Sequence, residues 1–271
     1  MGAAWTGDTT SGARVQVYFD GRLSAPEVDD LAAALSRLAG ATSISRVERV
    51  RDGGWAEAYQ RSLRPFAVGQ RLWIVPTEEA GAEVDVTEPP ARLVIHLPPG
   101  RAFGTGDHAT TALCLEYLDR EVRAREHVLD VGAGSGILSI AAILLGASRV
   151  VAVEPDGEAA GVLARNVRRN RVARRIEIVT GTLARISTGW FDRVVANILA
   201  GTLVELMPEI ATLLRPGGGG VLSGIRTEEA VTVADAAAAR GLRINGEAGR
   251  DGWVALEVVK PDSGPLRVSP S

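Results

Sequence analysis

The chain has 271 residues, 46% hydrophobic and 23% charged, an ordinary globular composition with enough length for one large domain and a small one. A disordered scaffold, a collagen-like fibre and a short disulfide-stapled peptide are excluded. A formal net charge of -3 supplies no whole-molecule positive field to hold a polyanion, so direct nucleic-acid binding is not expected. Cys114, the single cysteine, cannot form an internal disulfide or a thiolate metal cluster. The first residues lack the basic start and apolar run of a secretory signal, so a reducing, cytoplasmic setting is expected. No apolar stretch reaches the roughly 20 residues that cross a bilayer, so no membrane partner is expected. Lys260 is the one lysine among 30 basic residues, which reads as genome bias.

In chain order, the small polar opening before Arg14 and the Pro/Ser/Gly-rich stretch 261–271 read as a frayed start and a disordered tail. Arg14 to Phe19 reads as a strand, Pro26 to Leu38 as an amphipathic helix ended by Gly40, and Ile44 to Val50 as a second strand. Trp55, Tyr59 and Leu63 then recur at helical spacing until Pro65. Residues 1–66 are thus expected to form a small α+β recognition module. Two apolar β-rich runs, LWIVP and RLVIHL, fall within a connecting segment, 67–98.

Beyond it, strands near His127–Val131, Val150–Glu154, Ile176–Val179, Arg193–Ala196 and Gly220–Ser223 alternate with helices near Ile137–Leu145, Glu158–Asn170, Leu199–Leu214 and Glu228–Arg240. This alternation predicts an α/β domain over 99–260, with a parallel sheet covered by helices on both faces. Leu242–Gly246 and Trp253–Val258 flank Gly249, Asp251 and Gly252 and read as an antiparallel hairpin.

Four stretches carry chemistry. In VLDVGAGSGILSIAA a buried-type strand ends in Asp130, and Gly132, Gly134 and Gly136 lead straight into an apolar helix, where a ligand can lie against bare backbone. The dinucleotide fingerprint G-x-G-x-x-G would need glycine where Ile137 stands, so a nicotinamide dehydrogenase is disfavoured. The next strand ends in Glu154, about 20 residues on, where a carboxylate can accept hydrogen bonds from ribose hydroxyls. Asp156 is the alternative, and either acid could instead favour the start of the following helix.

In PGRAFGTGDHATTALCLEYL, Gly100, Gly104 and Gly106 form a loop able to act as a lid, with Phe103 and Thr105 reaching the cofactor and Asp107 or Thr110 capping a helix. A plain linker is the rival reading. His108, His96 and His127 share no ligand spacing, so no metal is expected. Finally, FDRVVANILAGTL carries Asn197 at the carboxyl end of a strand, where its amide oxygen could accept from a substrate amine or simply cap the next helix. The arginine-rich run from Arg165 to Arg175 reads as a solvated helix terminus rather than a dock for RNA or an acidic protein.

The D-x-G-x-G-x-G spacing resembles the first motif of class I methyltransferases that use S-adenosylmethionine. More specifically, PGRAFGTGDHATTALCLEYL, residues 129 to 146, VANILAGTLVELMPEI and LSGI together resemble the PrmA family, and GWAEAYQRSLRPFAVGQRLWIVP extends the likeness upstream to cover roughly 54 to 258. That family methylates amino groups of ribosomal protein L11. The resemblance implies a Rossmann-like seven-stranded sheet with a ferredoxin-like N-terminal domain that grips the protein substrate. It implies that Phe103, Gly104, Thr105 and His108 close over the cofactor, that Asp130, Gly132, Gly134 and Glu154 help to hold it, and that Asn197 with Ile198 lines the passage where methyl meets amine. Glu154 stands where the family usually has aspartate, and Ala133 where it has cysteine or threonine. Two other readings are a related methyltransferase acting on another protein or a small amine, and a binding module that has lost catalysis.

Overall fold

The computed structural model describes residues 2–6, 14–18, 65–76, 92–98, 108–186 and 191–262. The helix expected at Pro26–Leu38, the strand at Ile44–Val50 and the helical spacing from Trp55 to Leu63 lie outside them. So do Phe103, Gly104, Thr105 and Asp107. The chain divides into two compact units, Met1–Gly53 and Gly54–Ser271.

In the first unit, β1 (Gly2–Thr6) pairs antiparallel with β2 (Arg14–Tyr18), in register Gly2 opposite Tyr18 to Thr6 opposite Arg14. The opening residues, expected to be frayed, therefore form a strand. Pairing satisfies backbone groups that a lone segment leaves to solvent, which composition does not register.

The second unit is built on a seven-stranded sheet in the order β11-β12-β10-β9-β6-β7-β8. Its strands are β6 (His127–Val131), β7 (Arg149–Glu154), β8 (Ile176–Thr180), β9 (Phe191–Asn197), β10 (Leu214–Arg226), β11 (Arg243–Arg250) and β12 (Trp253–Val259). β12 runs antiparallel to both its neighbours, and the other pairings are parallel. The helices are α1 (Ala109–Glu121), α2 (Ile137–Leu145), α3 (Gly157–Arg169), α4 (Ala200–Leu213) and α5 (Ala230–Ala238).

Alternate residues along the central strands feed opposite faces of this sheet. Val128, Val195, Val221 and Ala255 join the core with α1, α2 and α3, whereas Leu129, Val194, Ala196 and Leu222 join that with α4 and α5. Both faces are covered, so the central strands read as continuous apolar runs. Asp251 (φ 52°) and Gly252 (φ 77°) turn β11 into β12; two successive positive φ values suit the right-handed twist of a tight hairpin. Lys260 donates from Nζ to the carbonyls of Ala211 (2.7 Å) and Leu214 (2.8 Å), closing the carboxyl end of α4.

The segment expected as a connection is itself a sheet. β3 (Phe66–Val68) pairs antiparallel with β4 (Leu72–Val75), which pairs parallel with β5 (Leu93–His96). β3 escapes sequence reading because three residues show no periodicity. Val68, Leu72, Ile74 and Ile95 are buried with α1 and α2 in one core. Asp119 of α1 clasps the β3–β4 turn, accepting from the Gln70 amide at 2.6 Å and Arg71 Nε at 2.8 Å.

Candidate active site

The chain runs β6, β7, β8 outward in one direction and then returns to place β9 on the other side of β6. At such a switch point the loops leave the carboxyl ends of two neighbouring strands in opposite directions and open a crevice. A cleft of about 360 Å³ lies there, within the size range of small-ligand sites. Gly132 to Ser135 line it after β6, Glu154 to Asp156 after β7, Asn197 and Ile198 after β9, and Thr111 from α1.

The glycine turn is shaped from both sides. Gly132 (φ 70°) lies so close to Ile198 that a Cβ there would overlap the isoleucine side chain. Gly224 (φ 83°) lies against the Ile198 carbonyl with the same consequence, and the Ile198 amide donates to the Ser223 carbonyl at 3.1 Å. Ile198 is thus wedged between two bare backbones, which draws Asn197 up to the turn. Asn166 of α3, 2% exposed, donates from Nδ2 to the Ser135 carbonyl at 2.8 Å and ties the turn to α3.

Glu154 is buried at the end of β7. Its Oε2 accepts from the Gly134 amide at 2.8 Å and its Oε1 from the Asp156 amide at 3.0 Å. Each oxygen keeps a further lone pair for a hydroxyl. Asp156 lines the cleft as well, but its Oδ1 accepts from the Glu158 amide at 2.8 Å and caps α3. Asp130 lies beneath the turn and is absent from the cleft wall. It is fully buried, and its Oδ2 accepts from the Ser139 hydroxyl at 2.6 Å. Burial pushes its carboxyl up to about 7; the Ser139 hydrogen bonds oppose the rise and the charge of Glu154 adds to it. Cys114 is fully buried in α1, and burial pushes its thiol well above the ordinary range, which removes it as a nucleophile.

Asn197 ends β9. Its Nδ2 donates to Thr111 Oγ1 at 3.2 Å, whereas its buried Oδ1 has no partner among the described residues. The next helix, α4, has Leu199 at its N-cap and no side-chain cap bond, so the capping role weighed for Asn197 is not what the structure shows. The α1 cap differs from expectation too. His108 holds that position, and its ring accepts from the Thr110 amide, since a residue directly before the first helical turn reaches it better than Asp107 or Thr110. The same ring meets Trp253 edge-on with centroids 5.2 Å apart.

Thr111, Ser135 and Asn166 were not singled out from sequence. Thr111 stood beside the residue weighed as a cap, and the helical phase of α1 turns it inward. Ser135 and Asn166 meet only when α3 packs on the sheet, 31 residues apart in sequence. Among the described residues no group of His, Cys, Asp and Glu is arranged to hold a metal ion, and no helix is long and apolar enough to cross a membrane.

The sheet order, with one antiparallel strand next to an edge and a glycine turn at the switch point, is that of class I methyltransferases. The model of the ribosomal protein L11 methyltransferase (PrmA) family matches residues 5–261. The chain belongs to this family. The ribosomal protein L11 methyltransferase of Methylococcus capsulatus (strain Bath) is 43% identical over 240 residues, 86% of this chain and 79% of that one. That of Pelotomaculum thermopropionicum is 43% identical over 248 residues, 90% and 78%. A crystal structure of the ribosomal protein L11 methylase from Lactobacillus delbrueckii subsp. bulgaricus superposes with a TM-score of 0.66 at 30% identity, covering 73% of this chain and all of that chain. Because the PrmA match begins at residue 5, it includes the N-terminal unit, where the sequence reads as a strand, a helix and a second strand between Arg14 and Val50.

Proposed function

We propose that this PrmA-family chain is an N-methyltransferase that uses S-adenosylmethionine to methylate amino groups of ribosomal protein L11, at lysine side chains, the N-terminus or both. The observation that carries the chemistry is Asn197 at the cleft wall, whose buried Oδ1 has no partner among the described residues. The site also fits the cofactor. Gly132 and Gly134 leave backbone bare for its methionine part, Glu154 offers lone pairs to its ribose, and Ile198 lines the passage between cofactor and acceptor amine. Phe103 and Thr105 complete the cover in this reading. Asp130 acts from beneath, by holding the turn through Ser139. S-adenosylmethionine, when bound, supplies an electrophilic methyl on a sulfonium.

The protein's task is alignment. An in-line displacement needs the amine lone pair aimed at the methyl and water excluded, and neither requires a covalent nucleophile. A lysine acceptor with a reference pKa of about 10.4 must lose its proton, a cost of roughly 4 kcal/mol near pH 7.4 that desolvation in the cleft offsets. Asn197 then accepts a hydrogen bond from the neutral amine through Oδ1, while Thr111 holds its Nδ2 and so fixes the orientation of the amide. No side chain serves as acid or base.

Residues 1–66 form the substrate-recognition module in this reading and 99–260 the catalytic domain, with 67–98, whose strands pack on α1 and α2, connecting them in sequence. Modifying a ribosomal protein is cytoplasmic work, and a cytoplasmic setting belongs to this reading. Incubating the pure protein with S-adenosylmethionine and L11 from the same organism, and reading the intact mass of L11, tests the proposal. Successive methyl additions are expected. An unchanged L11 alongside calorimetric binding of the cofactor would overturn the substrate and keep the cofactor.

A further inference from the structure

Six arginines fall within residues 165–175, and no acidic residue lies between Glu158 and Glu177. Complementing the dipole of α3 explains only part of this cluster, because that effect fades beyond the last turn. Arg168 and Arg169 occupy that turn. Arg165 precedes it, Arg171 follows the helix with a left-handed φ of 58°, and Arg174 and Arg175 sit on the short 3-10 turn Ala173–Arg175.

Composition does not explain it either. Elsewhere several arginines meet carboxylates, among them Arg71 with Asp119, Arg120 with Glu257, Arg193 with Glu126 and Arg250 with Glu116. In the cluster, Arg165, Arg168, Arg171, Arg174 and Arg175 are exposed, and no described carboxylate pairs with any of them. Five uncompensated guanidinium groups on one short stretch repel one another. Arg169, the sixth arginine of the stretch, is felt nearby: His96, on β5, sits below its ordinary value, first through burial and then through Arg169.

The occupant follows from what the cluster lacks. A protein partner needs an apolar centre to its interface, yet Val167 and Val172 are buried, Leu199 and Val231 stand at the cap of α4 and on α5, and Val94 on β5, at 39% exposure, is a single small side chain. A surface of guanidinium forks without an apolar anchor matches phosphate oxygens, which arginine grips two at a time. We infer that the exposed arginines of residues 165–175 form a docking surface for the phosphate backbone of folded RNA. This reverses the expectation from net charge, which averages over the whole molecule and misses a local field. The surface is not part of the cleft. α3 begins at the cleft with Asp156 at its cap and ends 13 residues later, about 20 Å away at 1.5 Å per residue. The inference does not depend on L11 being the methyl acceptor.

The test is fluorescence anisotropy of a labelled RNA hairpin with the full chain and with an Arg171→Gln, Arg174→Gln, Arg175→Gln variant, from low to physiological salt. The parental chain is expected to bind with an affinity falling steeply with salt, by close to one power of concentration per phosphate neutralised. The variant should bind at least tenfold more weakly, with a slope shallower by two to three powers on the same basis. Its thermal melting and its binding of S-adenosylmethionine should be unchanged. No RNA binding by the parental chain, or equal binding by the variant, would overturn the inference. So would displacement of the RNA by polyglutamate at matched charge, which would assign the surface to an acidic protein.

Discussion

Asn197 carries the most information per atom. An asparagine amide presents a donor at one end and an acceptor at the other, and here Thr111 engages the donor while the acceptor has no partner among the described residues. That polarity suits an incoming N–H. Asn197→Ala should leave S-adenosylmethionine affinity within a few-fold of the parent and lower kcat for methyl transfer by about 100-fold, the usual scale for a misplaced reactant. Calorimetry with the cofactor and initial rates with the acceptor separate the two. A parental turnover rate would remove Asn197 from the mechanism. From sequence the orienting and capping roles of Asn197 were balanced, and only the bond to Thr111, 86 residues away, separates them.

At the scale of elements, the glycine turn is held by what packs on it rather than by its own residues. D-x-G-x-G-x-G between an apolar strand and an apolar helix was legible because its conformational demands are local. Positive φ falls at Gly132, Gly134 and Gly136, where glycine is tolerated without cost. Its tether was not legible, since Asn166 reaches Ser135 only once α3 lies against the sheet. Asn166→Ala would leave the buried Ser135 carbonyl without that donor and should lower stability by about 1–3 kcal/mol. It should also weaken S-adenosylmethionine binding, because the freed turn must be ordered again on binding. Urea unfolding and cofactor calorimetry on the same preparation check both effects. A stable variant with parental affinity would show that the turn holds itself.

At the scale of the whole molecule, the sheet buries a carboxylate at its centre. Asp130 has its carboxyl raised to about 7 by burial, against about 3.9 in an unfolded chain. Between those values the folded protein keeps a proton that the unfolded chain has released. The resulting stabilisation is complete below about pH 4 and is lost as pH rises through about 7. Asp130→Asn cannot ionise, so the stability difference, parent minus variant, should fall as pH rises from about 4 to 7 and level off above. Thermal melting across that range reads it directly. Parallel curves would mean that Asp130 ionises in the fold as easily as in the open chain.

By itself the sequence determined the alternation of strands and helices after residue 126, the glycine turn, the acid closing β7 and the asparagine closing β9. Each of these is written within a few neighbouring residues as periodicity, turn chemistry or a strand end. Tertiary structure decided the rest. It turned the expected connection into a sheet against α1 and α2, made His108 the cap of α1, set Asp130 below the cleft and left the Asn197 oxygen without a partner among the described residues. In each case the deciding partner stands elsewhere in the fold or answers to side-chain reach, and burial and hydrogen-bond pairing become definite only when the chain is closed.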